Sequence, residues 1–485
     1  MAGPAQLWVI RALGVAAMAF SALPAQSQGL GGLGGLRGGG PPVGGSPLGG
    51  LGGLPVQRPG DLPGVPDLPR PPRLPPQAAD VARDLTRDVS RRATATARDA
   101  RSTARDALST ARGAQVQALI RDHADVIDVD DHGQAVVRGQ VLVLSPSPAS
   151  LAIARRAGFE VGAEARLESL GLSTITLTPP PGLSAREAVA RLRALDPEGL
   201  YDFNHIYLGA GRVTAAARGP AASGGGSGPR IGLVDGGVAA HPSLGPVEQR
   251  GFAPGGLRVS AHGTAVASLM AGRAGAFRGA APGARLLVAD VYGSTPTGGS
   301  AAIIAQALAW MAQNRVPVIN ISLVGPPNLT LQAAIAALVA RGHLVVAAVG
   351  NDGPAAPPLY PAAYPGVISV TGVDARRRVL PEAGRGGHVD FAAPGADMAG
   401  AAPQGGYVAL RGTSFAAPLV AGRLALALPQ PDRAGAARAL EGLSRQASDL
   451  GARGPDPVYG KGLVAFDLRT APSAVGAGGR LLAGE

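Results

Sequence analysis

Four short segments carry the residue types that acyl transfer needs. Residues Arg230 to Val238 form an apolar run closing on Asp235 and two glycines, as a buried strand delivering a carboxylate to its C-terminal edge would. Between Ala261 and Gly272, the apolar Val266, Leu269 and Met270 recur at helical spacing. That places His262 near a helix start, with Gly263 leaving its backbone free to approach other chain. The run from Leu344 to Gly353 reads as a buried strand ending in Asn351 flanked by glycine. In the segment from Arg411 to Gly422, Ser414 opens an apolar, small-residue helix with Pro418 inside its first turns. A helix start offers free N–H groups and a dipole that favours an anion. Ser414 would then attack a carbonyl, His262 would take its proton, and Asp235 would orient and stabilise the imidazolium. The Asn351 amide and the Ser414 N–H would form the oxyanion hole.

Asp, His and Ser succeed one another in the order used by subtilisin, not in that of chymotrypsin or the α/β-hydrolases. On these motifs, residues 230–471 resemble the subtilase family of serine peptidases. Val318 to Pro326 resembles the family's substrate-lining strand, while Leu359 to Val370 and Phe391 to Gly395 resemble its later strands and loops. Tyr459 to Val464 resembles its closing segment. The resemblance implies a serine endopeptidase acting on protein or peptide substrates. It implies substrate binding by Ser322, Leu323, Val324 and Gly350, with Gly298 and Gly299 on the opposite rim. Two departures stand out. Asp235 is followed by Gly236, where the family usually has Ser or Thr, which alters only the local turn. Val324 stands where the family usually has Gly, and its branched side chain is expected to crowd a cleft that binds substrate by strand addition. No cofactor and no metal ligand are expected. The resemblance allows a structural calcium, but no dense Asp/Glu/Asn loop of the kind calcium needs is recognisable.

The elements that must position these residues follow from periodicity. Residues 230–471 alternate apolar strand runs with amphipathic helices, the pattern of an α/β fold with a doubly wound, mostly parallel sheet. Ahead of it, residues 122–208 read as a ferredoxin-like α+β module. Its strands are expected at 134–144, 160–166, 173–178 and 200–208, and its helices at 148–157 and 184–194. Ser184 serves as N-cap and Glu187 completes a capping box. The module resembles the propeptide that precedes subtilase domains. By that resemblance it would chaperone folding and fill the cleft with its C-terminal tail, and the Gly/Ala/Ser-rich linker 209–229 would hold the processing site.

The remaining chain is compositionally biased. The 485 residues contain 73 Gly, 44 Pro and no Cys, which excludes thiol nucleophiles, Cys-ligated metals and disulfides. Residues 26–76 read as a Gly/Pro-rich disordered linker. Residues 77–121 read as an Ala/Arg-rich helical segment with a seven-residue repeat from Thr96, expected to be a solvated spacer. Residues 1–25 carry Arg11, an apolar run to Leu23 and a small-residue exit at Ala25. That run is too short to span a bilayer and fits a signal peptide for a secreted or periplasmic protein, with no transmembrane anchor. Residues 472–485 read as a C-terminal tail. The net charge of +11 rests on 44 Lys+Arg. All but Lys461 of these are Arg, which points to genome composition more than to a binding face, and no nucleic-acid partner is expected. Of the other histidines, His241, His343 and His388 read as structural, and His123 and His132 as exposed. The competing reading is a non-catalytic envelope or scaffold protein that binds through its basic arm. Such a protein would have no need of Asp235, His262, Asn351 and Ser414 together.

Overall fold

Seven parallel strands form the sheet of the C-terminal region. Their spatial order is Phe391–Pro394, Val367–Val373, Leu344–Ala348, Val318–Ile321, Arg230–Asp235, Arg285–Asp290 and Val247–Gly251. The structure, a computed structural model, describes residues 110–209, 228–478 and 480–482. All of them fall within the unit Asp80–Glu485. The expected doubly wound sheet is present. Ile231, Leu233 and Val346 pack toward the helices Ala261–Ala271, Ala417–Ala427 and Arg433–Gln446. Val234, Ile319 and Val345 face the helices Ala301–Gln313 and Leu329–Ala340 on the other side. Because both faces are covered, the strands Val318–Ile321, Leu344–Ala348 and Val367–Val373 are buried at every position instead of alternating, whereas the edge strand Val247–Gly251 alternates.

The N-terminal module has the four-strand order Tyr201–His205, Ala135–Leu144, Leu172–Thr178 and Glu160–Leu167, all antiparallel. The helices Pro148–Arg156 and Ala185–Leu195 contribute Ala154, Ala188, Val189 and Leu192 to a core with Val141, Val143 and Phe203. Ser184 and Glu187 make the expected capping box. A short strand, Ile127–Val129, adds to the module sheet beyond the elements read from sequence.

One expectation is corrected. Residues 200–208 are not a single strand, because the chain leaves the module sheet after His205. Leu208–Gly209 then pairs antiparallel with Leu323–Val324 of the C-terminal region. Strand-like pairing continues through most of the segment, so it reads as one strand while the hydrogen-bonding partner changes. The two regions also share a core, in which Leu142, Leu167, Leu170 and Tyr207 pack with Leu308, Leu331 and Ile335. In the segment read as a tail, Arg480–Leu482 pairs parallel with Tyr407–Arg411. The signal-like residues 1–25, the linker 26–76, the arm up to residue 109 and linker residues 210–227 lie outside the described residues. Of the helical arm, Thr110–Asp122 is described and is helical.

Candidate active site

Asp235 ends the strand Arg230–Asp235 and is only 1% exposed. Its Oδ1 accepts the Gly236 N–H at 2.7 Å. Its Oδ2 and Oδ1 lie 2.8 Å and 3.1 Å from Nδ1 of His262. His262 is the second residue of the helix Ala261–Ala271, whose N-cap Ser260 accepts the Gly263 N–H at 3.0 Å. Gly263 is needed at this start because a Cβ there would lie 2.3 Å from the Gly236 carbonyl oxygen. A carboxylate only accepts, so the bond to Asp235 places the imidazole proton on Nδ1 and leaves Nε2 as an acceptor. Nε2 is buried and has no hydrogen-bond partner among the described residues.

Ser414 lies in a single 3₁₀ turn, Thr413–Phe415, whose Phe415 ring stands 5.2 Å from that of His262. The preceding Gly412 has φ 142 and ψ 158, a backbone conformation open essentially to glycine alone. The α-helix was expected to open at Ser414 but begins at Ala417. Pro418 has no N–H to return to the Ser414 carbonyl, so regular i→i−4 bonding cannot include that residue. Asn351 follows the strand Leu344–Ala348 by way of Gly350. Its Oδ1 accepts the Thr413 N–H at 3.0 Å. That bond ties Asn351 to the residue before Ser414 and leaves its Nδ2 end free to donate.

Residues 206–209 run between two rims beside this group. Leu208 and Gly209 pair with Val324 and Leu323. On the other side, the Tyr207 N–H donates to the Gly299 carbonyl at 2.8 Å, and Ile206 bridges Ser300. Gly298 and Gly299 therefore stand opposite Leu323 and Val324. The Val324 side chain is itself buried, and its strand accepts an added partner, so the crowding expected there does not block pairing. Ser322, at the end of the same rim, accepts a hydrogen bond from Asn320 Nδ2 at 2.6 Å. The Tyr207 ring is wholly buried, and its hydroxyl donates to the Pro326 carbonyl at 2.6 Å.

Two acidic neighbours shape the electrostatics. Asp290 lies directly across the ladder from Asp235. Burial raises its pKa above the usual carboxylate range, the N–H groups of Arg258, Tyr292 and Gly293 oppose that, and the Asp235 charge adds to it. Asp352, next to Asn351, pairs with Arg112 of the helix Thr110–Asp122 at 2.7 Å.

Sequence reading missed the residues that dock the module. Asp202 Oδ2 accepts the Leu329 N–H at 2.7 Å, and Asn204 Oδ1 accepts the Ala302 N–H at 3.1 Å. Buried His205 lies between Asp130 at 3.3 Å and the Asn328 amide at 3.1 Å. A signal was present, since Asp202 and Asn204 are polar residues alternating with the aromatic Tyr201 and Phe203 in one short strand. Of the histidines read as structural, His241 contacts Ser243 and the Gly406 carbonyl, and His343 contacts the Val316 carbonyl. His132 is exposed, but His123 is half-buried.

A sequence profile described as the subtilase family matches residues 226–462. Subtilisin Savinase of Lederbergia lenta is 34% identical over 251 residues, which make up 50% of this chain and 91% of that protein. The chain belongs to the subtilase family. It is a serine-type endopeptidase in that family's sense. The alkaline protease of Alkalihalobacillus alcalophilus is also 34% identical over 251 residues, covering 65% of its length. Fervidolysin from Fervidobacterium pennivorans shares the fold, with a TM-score of 0.57 and 22% identity over 71% of this chain and 62% of its own. That overlap is longer than the subtilase region of this chain alone. Among the described residues no group of three or more His, Cys, Asp or Glu could hold a metal ion. No helix among them is long and apolar enough to cross a membrane.

Proposed function

We propose that this subtilase is a secreted peptidase made as a self-processing zymogen, with Asp235, His262 and Ser414 as its triad. The observation that carries this reading is the seating of residues 206–209 as a strand between Gly299 and Val324. An extended chain held on both sides is how a cleft presents a peptide for attack. Ser414 Oγ attacks the carbonyl carbon, and its proton passes to His262 Nε2. The oxyanion is held by Asn351 Nδ2 and the Ser414 N–H. Collapse expels the amine, which takes the proton from His262. Water, deprotonated by the same imidazole, then releases the acid and restores Ser414. Throughout, Asp235 holds Nδ1–H and stabilises the imidazolium.

On this reading the module acts as an intramolecular chaperone and inhibitor. Asp202 and Asn204 cap two helices of the subtilase region, and Tyr207 anchors the tail in the cleft. The linker after Gly209 then holds the cut that frees them, and a leader at residues 1–25 exports the whole. Mass spectrometry of wild-type and Ser414→Ala protein tests the reading. Wild type should lose the module by cleavage within 209–229, and Ser414→Ala should stay whole. Equal processing of both would remove the self-processing claim.

A further inference from the structure

We propose that Tyr292 makes this cleft selective for glycine at the position Gly209 occupies, so that substrates present an extended Tyr-Xaa-Gly segment. The proposal rests on the reading of the cleft as a peptidase site. Gly209 pairs with Leu323, one residue beyond the Leu208–Val324 pair and two beyond the buried Tyr207. Its φ lies outside the left-handed region, so no backbone demand accounts for glycine there. Side-chain space does. A Cβ on Gly209 would lie 2.8 Å from Tyr292 Oη, 3.1 Å from Cζ and 3.3 Å from Cε2.

Tyr292 has little room to retreat. Its other ring edge faces Gly299, where a Cβ would lie 2.9 Å from Cε1, and a Cβ on Gly236 would lie 3.8 Å from Cδ2. The ring packs against the cluster that includes Tyr207, Val291 and Leu323. Its backbone N–H is held by Asp290 Oδ1 at 3.0 Å. The hydroxyl is buried with no hydrogen-bond partner among the described residues, so it stands as a wall and is not engaged elsewhere. Since Tyr292 borders Asp235 and the Gly298–Gly299 rim, it limits the cleft beside the triad.

The test uses an internally quenched peptide copying residues 206–213, Ile-Tyr-Leu-Gly-Ala-Gly-Arg-Val, with the Gly209 position changed to Ala or Leu. For the processed wild-type enzyme, kcat/KM should fall about tenfold with Ala and about 100-fold or more with Leu, the range that overfilling a tight site brings. In Tyr292→Ala the ratio between the three peptides should collapse toward unity, and that ratio is the readout, whatever the absolute rate. An enzyme that reacts with a fluorophosphonate at Ser414 yet cleaves all three peptides equally overturns the assignment. Failure to react would instead overturn the peptidase reading. A melting experiment on the full chain carrying Ser414→Ala judges Tyr292 without catalysis. There Gly209→Leu should lower Tm, and adding Tyr292→Ala should restore it. Additive effects of the two substitutions would overturn the proposal.

Discussion

The carboxylate of Asp202, in the last strand of the N-terminal module, accepts the backbone N–H of Leu329, the first residue of a helix in the subtilase region, at 2.7 Å. Asn204, two residues on, does the same for Ala302 at the start of the neighbouring helix. One short strand thus supplies side-chain acceptors to two helix N-termini that lie outside its own module. Both helices have N-cap residues of their own, Asn328 and Ser300, but Ser300 makes no side-chain cap bond.

This contact predicts that the module stabilises the region it precedes. In the full chain carrying Ser414→Ala, Asp202→Ala and Asn204→Ala should each cost about 1 kcal/mol, as loss of a capping acceptor does. The double variant should lose the sum, since the two helix ends are separate. Thermal melting checks this, and unchanged Tm in both variants would argue against a stabilising role.

The triad assignment predicts a hierarchy of losses. Ser414→Ala or His262→Ala should cut kcat by on the order of 10⁶, the scale that the same substitutions have in subtilisin. Asn351→Ala should cost about 10²–10³, again the subtilisin scale for an oxyanion donor. Hydrolysis of casein by the purified variants measures both, and full activity in Ser414→Ala would sink the mechanism.

Acid sensitivity should trace in part to His343. It is buried, its Nδ1–H donates to the Val316 carbonyl at 2.6 Å, and burial holds its pKa below the usual imidazole value. The unfolded chain therefore binds the proton more readily. The stability that comes from keeping this ring neutral is complete above about pH 6.5 and is lost as pH falls below it. One such group adds a slope of at most about 1.4 kcal/mol per pH unit. Half-buried His388 shifts in the same direction and for the same first cause. In the Ser414→Ala background, Tm should fall less steeply from pH 7 to pH 5 for His343→Gln than for the parent. Parallel curves would remove His343 from the account.

Much of the candidate site was legible in the sequence because each residue proposed to react sits at or near the end of an element with a local signal. Asp235 and Asn351 terminate apolar strand runs, His262 follows an N-cap, and Ser414 stands between a glycine and a proline that limit the backbone. The module's strands and its Ser184–Glu187 capping box are local in the same sense, depending on residues a few positions apart. Tertiary structure alone decided the rest. The segment Leu208–Gly209 is extended in either reading, and only the folded chain shows that its partner is Leu323–Val324 instead of the module sheet. Likewise, nothing near Asp202, Asn204 or Tyr292 in sequence names Leu329, Ala302 or Gly209 as the group each one meets. Composition and periodicity set what a backbone segment prefers to be. Which distant donor, acceptor or ring it lies against is chosen by packing of the whole chain.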